Sequence, residues 1–182
     1  MTPQKKQRVS KLGAAQRQLR TAVSLFFNNG DDVSIHTLVA ASRQLLIDIL
    51  KHQGKRSPFE DSYERVFTPE GVKEFRAAIV ADENFFKHAD RDPRAERDFD
   101  PGSSVFMLVE CASAYELATG RVLRELWVFM LWFACEYPGA LRPGTLLDAV
   151  KAIQAKPGAS PHHQRRLFFE ALNSPQLYPN LD

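Results

Sequence analysis

An all-α fold is predicted for this chain of 182 residues by three observations. Apolar residues recur at spacings of three and four, which is the pattern of one helical face. Glycine, proline and asparagine interrupt this pattern at places that suit helix ends. Alternating apolar and polar residues, which would indicate strands, are not sustained in any segment, and no repeat of fixed period is found. The sequence therefore predicts a single-domain bundle of six or seven helices.

The first two helices are predicted over 11–27 and 33–52. An Asn-Asn-Gly run that closes at Gly30 ends the first helix, since these residues tolerate the left-handed cap conformation. The apolar residues that recur at spacings of three and four in this helix are Leu12, Ala15, Leu19, Ala22, Val23 and Phe26. Asp31 or Asp32 can then cap the second helix by accepting hydrogen bonds from its free amides. The loop between the helices is therefore expected to be short.

The third and fourth helices are separated by a charged loop. Thr68 and Pro69 open the third helix with a capping hydroxyl and a proline at the first helical position. It is expected to end just before Asp92, because Pro93 disfavours the helical conformation in the preceding residue. The fourth helix is predicted over 103–119, where a glycine follows it.

The fifth helix, predicted over 121–137, is apolar nearly all round and is expected to be the central helix of the core. Its longest apolar run, 126–135, is about half of the roughly 20 residues that a membrane helix needs, so no membrane association is predicted. Two further helices are predicted over about 145–155 and 161–172.

Charge is unevenly distributed although the net charge is only +2. We expect a flexible basic arm over 1–10, a helical domain over 11–172 and an extended tail over 173–182. The basic arm makes nucleic acid a conceivable partner, since such arms can lie along phosphates. Six basic residues precede the first acidic residue of the chain: Lys5, Lys6, Arg8, Lys11, Arg17 and Arg20.

The two cysteines indicate a reducing compartment. Cys111 and Cys135 each lie within an apolar helical run, where free cysteine behaves as a small hydrophobic residue. The basic N-terminus is not followed by an apolar segment of the kind found in secretory signals. A cytoplasmic location is predicted. Because the chain has no nucleotide-binding loop, no zinc-ligand spacing and no nucleophile motif, no cofactor is predicted.

Side chains that carry chemistry are concentrated in residues 83–93, ENFFKHADRDP. Phe86 continues an apolar stripe of the third helix, but His88 follows Ile79 by nine residues and so lies on the opposite side of that helix. His88 is therefore expected to face solvent or a second interface. The predicted binding residues of this segment are Asn84, Lys87, His88, Asp90, Arg91 and Asp92.

Two interpretations of this segment remain open. In the first it is a helix end: Lys87, His88 and Arg91 occupy the last turn, where positive charge is favoured, and the two aspartates are turn residues. In the second it binds phosphate or another anion, with His88 as proton donor or acceptor and Lys87 or Arg91 as the charge clamp.

His36 is the other histidine with a predicted role. It lies in the first turn of the second helix, where the helix dipole favours the neutral imidazole that binds metals. If the second and third helices pack together, His36 and His88 could converge, with Asp90, Asp92 or Glu110 completing a site. Neither helix contains a pair with metal-ligand spacing, so His36 is assigned to binding and no metal is predicted.

Two resemblances bear on function. Residues 83–88 resemble the HEPN superfamily of helical bundles, many of which cleave RNA without metal, with Asn84 and His88 at its polar and histidine positions. Glu83 occupies the arginine position, and its carboxylate would repel a phosphate. Residues 34–41 and 84–93 look like a group of uncharacterised bacterial all-α proteins that carry HTL and NFFKHADRDP segments, which implies a bacterial protein without assigning an activity.

The sequence thus leads to two functional hypotheses. The first is a domain that binds a small ligand or a protein partner through the ENFFKHADRDP face. The alternative is a HEPN-like nucleic-acid-binding protein or metal-independent ribonuclease, with His88 and Lys87 as candidate catalytic residues. A homodimer is expected in either case, because helical bundles with two apolar faces often associate.

Overall fold

The computed structural model describes residues 6–57, 69–90, 92–137 and 165–173. Every regular element within these ranges is an α-helix, so the all-α prediction is confirmed for them. The described residues contain five helices of 13 to 21 residues and a sixth helix of eight residues that packs at one end. The helix predicted over 145–155 and most of the tail lie outside the described residues.

The helix boundaries agree closely with the predicted ones, apart from α3 and α5. The first helix has the predicted bounds, and the fifth begins later than residue 121, because residues 121–123 form the connection that follows Gly120. The helices are α1 Lys11–Phe27, α2 Asp32–His52, α3 Pro69–Lys87, α4 Gly102–Thr119, α5 Arg124–Glu136 and α6 Arg165–Leu172.

Local sequence signals account for the helix ends. Ser10 caps α1 by accepting the amide N–H of Gly13 at 3.0 Å. Asp31 caps α2 by accepting the amide N–H of Ser34 at 2.7 Å, and hydrogen bonding with the Ser34 side chain and with this amide lowers the pKa of the Asp31 carboxyl. Gly120 ends α4 with φ 69°, a left-handed conformation that glycine adopts without a steric penalty.

The most extensive helix packing centres on α2, which contacts α1, α3 and α4. The fifth helix, which was expected to be central, packs less extensively within the described residues, against α1, α4 and α6. Even so, α5 is largely buried. Its buried residues are Leu126, Val128, Phe129, Leu131, Trp132, Phe133, Ala134 and Cys135.

Aromatic rings fill the core between α1, α5 and α6. Phe26 meets Trp132 edge to face at a centroid distance of 4.7 Å, and Phe27 stacks on Phe168 at 5.9 Å. The guanidinium of Arg165 lies 4.0 Å from the Phe26 ring centroid, a cation–π contact that fixes α6 against α1. This end of the bundle is held by ring contacts.

Among the described helices, only α2 has a length and composition that would allow it to cross a membrane. Its apolar side chains are used inside the bundle, where it contacts three other helices. Its buried residues are Ile35, His36, Val39, Ala40, Ser42, Leu46 and Leu50.

Candidate functional site

The ENFFKHADRDP segment spans the end of α3 and the loop that follows. The helix ends at Lys87, and the last amide of its ladder is that of His88, which donates to the carbonyl of Asn84 at 3.0 Å. The prediction that α3 continues almost to Asp92 is therefore wrong. The carbonyl of Asp92 accepts the amide N–H of Ala95 at 2.9 Å, so the chain already turns around Pro93 instead of extending the helix.

The two adjacent phenylalanines at the end of α3 have different environments. Phe86 contacts His36 of α2 edge to face, with ring centroids 5.5 Å apart, and contacts Phe99 of the loop at 5.1 Å. Phe85 instead lines a surface cavity together with His88. His88 therefore does not share the side of α3 that Phe86 uses to contact α2.

This cavity brings together most of the predicted binding residues. It has a volume of about 500 Å³ and is open to solvent. Its polar side chains come from the last turn of α3 and from the following loop, and all of them belong to exposed residues. The two apolar lining residues, Ala81 and Phe85, are half-buried. The lining residues are Ala81, Asn84, Phe85, His88, Asp90, Asp92 and Arg97.

Arg97 is the lining residue that sequence reasoning did not single out. Its Nε–H donates to Oδ1 of Asp82, a buried carboxylate on α3. This ion pair ties the loop back to the helix across a turn of the chain. The signal in the sequence was the presence of opposite charges before and after Pro93, which could form an ion pair. Several such pairs are possible, and the sequence alone does not select Arg97 with Asp82.

Two of the predicted residues that the structure describes, Lys87 and His36, are not part of the cavity lining. Lys87 pairs with Glu83 one helical turn earlier, which neutralises the proposed charge clamp. Arg91 lies outside the described residues. His36 is fully buried and contacts Phe86, on the α2-facing side of α3.

His36 occupies a small aromatic and hydroxyl cluster. Its Nδ1 lies 3.2 Å from Oγ of Ser104 and 3.5 Å from Oγ of Ser103. The Ser103 hydroxyl already donates to the carbonyl of Asp100 at 2.8 Å, so the Ser104 hydroxyl is the better donor to Nδ1. The neutral ring then carries its proton on Nε2, which has no hydrogen-bond partner among the described residues.

The surroundings of His36 account for its preferred charge state. Phe86 and Phe99 both meet the imidazole edge to face, and an Nε2–H can point towards such a π face. Burial lowers the pKa of His36, and Lys87 acts in the same direction, while the carboxylates of Asp82 and Glu83 oppose the change. Desolvation of the buried ring is thus the largest effect that favours its neutral form.

The predicted convergence of His36 and His88 does not occur as a metal site. The described residues contain no group of three or more His, Cys, Asp or Glu side chains that could hold a metal ion. Glu110, the proposed third ligand, instead accepts two hydrogen bonds from Arg43, from Nε at 2.5 Å and from Nη2 at 3.2 Å. The Ser57 hydroxyl adds a third bond to this buried carboxylate at 3.3 Å.

Comparison with known proteins assigns no family. No family model matches the chain, and neither a curated protein nor a solved structure is detectably similar to it. The resemblances to the HEPN superfamily and to uncharacterised bacterial proteins therefore stay predictions.

The described side chains of the cavity are suited to binding a ligand. They include an imidazole, an amide, a guanidinium and two carboxylates. These groups can donate and accept hydrogen bonds and can match charges on a ligand. Phe85 and Ala81 add an apolar surface against which a carbon skeleton can pack.

Proposed function

We propose that the chain is a ligand-binding helical domain whose binding site is the cavity at the end of α3. The observation that carries this proposal is that Asn84, His88, Asp92 and Arg97 border one concavity of about 500 Å³. Polar groups that converge on a concave surface are the usual arrangement of a small-molecule site. In this proposal the ligand contacts the side of the ENFFKHADRDP segment that faces away from α2, and it lies between the end of α3 and the following loop.

The alternative, nucleic-acid binding or cleavage, receives less support from the same contacts. Among the described lining residues, Asp90 and Asp92 carry negative charge and Arg97 carries positive charge, so a phosphate held by Arg97 would also meet two carboxylates. In the basic arm and first helix, Arg20 is engaged by Glu125 at 3.3 Å and Arg17 by Gln7 at 3.1 Å. Two of the six N-terminal cations are therefore already used by contacts within the chain.

A titration with RNA and single-stranded DNA at two salt concentrations separates the hypotheses. Phosphate binding predicts affinity that falls steeply with salt, whereas the ligand-binding proposal predicts no such binding. An RNA-cleavage assay with the wild type and His88→Ala completes the test. Salt-sensitive binding together with cleavage that His88→Ala abolishes would establish the alternative and overturn the present proposal.

The ligand-binding proposal itself is tested by screening small polar compounds by NMR. We expect binding compounds to shift the amide signals of Asn84, His88 and Arg97, since these residues border the cavity. His88→Ala and Asn84→Ala should weaken a hit by ~10-fold, the loss of about one hydrogen bond each. Arg94→Ala, a change of an exposed residue outside the cavity lining, is the matched control and should leave affinity unchanged.

The cellular setting is part of the same proposal. We place the protein in a bacterial cytoplasm, because it resembles bacterial sequences and because Cys111 and Cys135 are free and buried. Burial raises the pKa of both thiols, which keeps them protonated and unreactive.

We also propose a homodimer, in keeping with the two apolar faces expected of such helices. Large apolar side chains such as Phe106 and Tyr137 are exposed near each other, with ring centroids 6.4 Å apart. Light scattering should give twice the chain mass of 20.6 kDa. A monomer mass at working concentration would contradict the proposal.

A further inference from the structure

Arg97 has a geometry suited to recognising a carboxylate. Its Nε–H is used by Asp82, and among the described residues no partner is assigned to its two terminal nitrogens. These nitrogens form the planar end of the guanidinium, whose parallel N–H groups match the two oxygens of a carboxylate. Arg97 lines the cavity and its side chain is 35 % exposed, so a ligand there can approach the guanidinium.

Asp82 acts on the ligand only through Arg97. The carboxylate is buried on α3, while the Arg97 side chain remains 35 % exposed. Holding the guanidinium by Nε restricts its rotation and so reduces the conformational entropy that binding would otherwise remove. Asp82 is thus a positioning residue for Arg97.

Two carboxylates border the same cavity, those of Asp90 and Asp92, and Asp90 already has a contact within the chain. Asp92 is exposed and lines it together with Arg97. A purely anionic ligand would meet the Asp92 carboxylate, and a purely cationic ligand would meet the Arg97 guanidinium. A ligand that carries both charges satisfies both groups at once.

We propose that the cavity binds a small zwitterion of the α-amino-acid class. Its carboxylate is received by Arg97 and its ammonium group by Asp92, with hydrogen bonds from Asn84 and His88. The side chain of the ligand packs on Phe85, which gives the site its apolar wall. This inference rests on the proposed function, since it specifies the ligand of the same cavity.

The test uses matched probe compounds on the full chain. The proteinogenic amino acids are titrated by NMR, and each hit is compared with its N-acetyl derivative, which lacks the ammonium charge, and with its α-amide, which lacks the carboxylate. We expect the free amino acid to shift the signals of Asn84, His88 and Arg97. Each derivative should bind ~10- to 100-fold more weakly, as expected for the loss of one charge-assisted contact.

Two variants assign each charge to a residue. Asp92→Asn should weaken the binding of the free amino acid by a similar factor. It should leave the weak binding of the N-acetyl derivative unchanged, because that derivative has no ammonium group for Asp92 to contact. Arg97→Gln should likewise weaken the binding of the free amino acid and leave the binding of the α-amide, which has no carboxylate, unchanged. Asp98→Asn and Arg94→Gln are the controls, since both residues are exposed on the same loop and neither lines the cavity.

Arg97→Gln also leaves the buried Asp82 without its cation, which can destabilise the fold. If Arg97→Gln misfolds, the test depends on Asp92→Asn, since Asp92 is exposed. The inference is overturned if the amino acids leave the cavity signals unchanged while other polar compounds shift them, a result that would leave ligand binding intact. It is also overturned if Asp92→Asn weakens both members of a pair equally. If no compound of any charge shifts these signals, the ligand-binding proposal fails as well.

Discussion

His36 has no exposed surface and yet carries an ionisable ring, in a cluster that joins three parts of the molecule. It contacts Phe86 of α3 and Phe99 of the loop, and its Nδ1 faces the Ser104 hydroxyl of α4. Phe86 lies between the lining residues Phe85 and His88, and Phe99 follows the lining residue Arg97 by two positions, so the cluster adjoins the cavity in the chain. Protonation of His36 would place a charge among these rings.

We therefore predict that acid weakens the fold through His36. Its pKa is lowered by burial, whereas in the unfolded chain the imidazole titrates near 6.5. Below about pH 6.5 the unfolded state binds a proton that the folded state does not, so the free energy of unfolding falls as pH decreases towards the lower folded pKa. His36→Phe, which keeps an aromatic ring in the cluster, should make the free energy of unfolding less dependent on pH across this window.

Urea unfolding measured between about pH 7 and pH 5 checks the prediction. His52→Gln is the control, because His52 is exposed at the end of the same helix. The comparison concerns the slope against pH, so a uniform loss of stability in His36→Phe does not affect it. Equal slopes for the wild type and His36→Phe would show that His36 does not carry the effect.

At the scale of elements, helix ends were predictable where the cap chemistry is local. Asp31 and Gly120 act through their own hydrogen bonds and backbone conformation, and both ends lie within a residue or two of the predicted positions. The end of α3 was placed too late, since proline restricts only the residue before it. The loop folds back because Phe99 packs on Phe86 and Arg97 pairs with Asp82, contacts between residues distant in sequence.

The same limit applies to the candidate site. Asn84 and His88 were predicted from helical spacing, which is a local property, and both border the cavity. Arg97 could not be selected, because its role depends on the path of the loop. His36 was expected near His88 because periodicity does not specify which side of α3 faces α2. In the structure Phe86, and not His88, lies on the side that contacts His36 of α2.

At the scale of the whole molecule, one buried ion pair connects α2 and α4. The packing between these two helices is the most extensive after that between α1 and α2. Arg43 of α2 and Glu110 of α4 form a double hydrogen bond, and the side chains are 16 % and 3 % exposed. Ser57, from the chain that follows α2, bonds to the same carboxylate. A charge in this position is tolerated because each group neutralises and hydrogen-bonds the other.

Removing one member should therefore cost more than removing both. Glu110→Gln removes the carboxylate charge that faces the Arg43 guanidinium between α2 and α4, and we expect it to lower the free energy of unfolding by ~3–5 kcal/mol. The double variant Arg43→Met with Glu110→Leu replaces the pair by apolar groups of similar size and should recover most of that loss. Glu116→Gln, an exposed change on the same helix, should stay within about 0.5 kcal/mol of the wild type.

Urea unfolding followed by tryptophan fluorescence measures all four proteins, because both tryptophans lie on α5 within the bundle and report on its opening. The ordering of midpoints is what distinguishes the explanations. If charge pairing holds α2 and α4 together, the double variant lies above Glu110→Gln. If the double variant is the least stable protein, the pair contributes through shape and hydrogen bonding that apolar side chains cannot replace, and the electrostatic account of this contact is wrong.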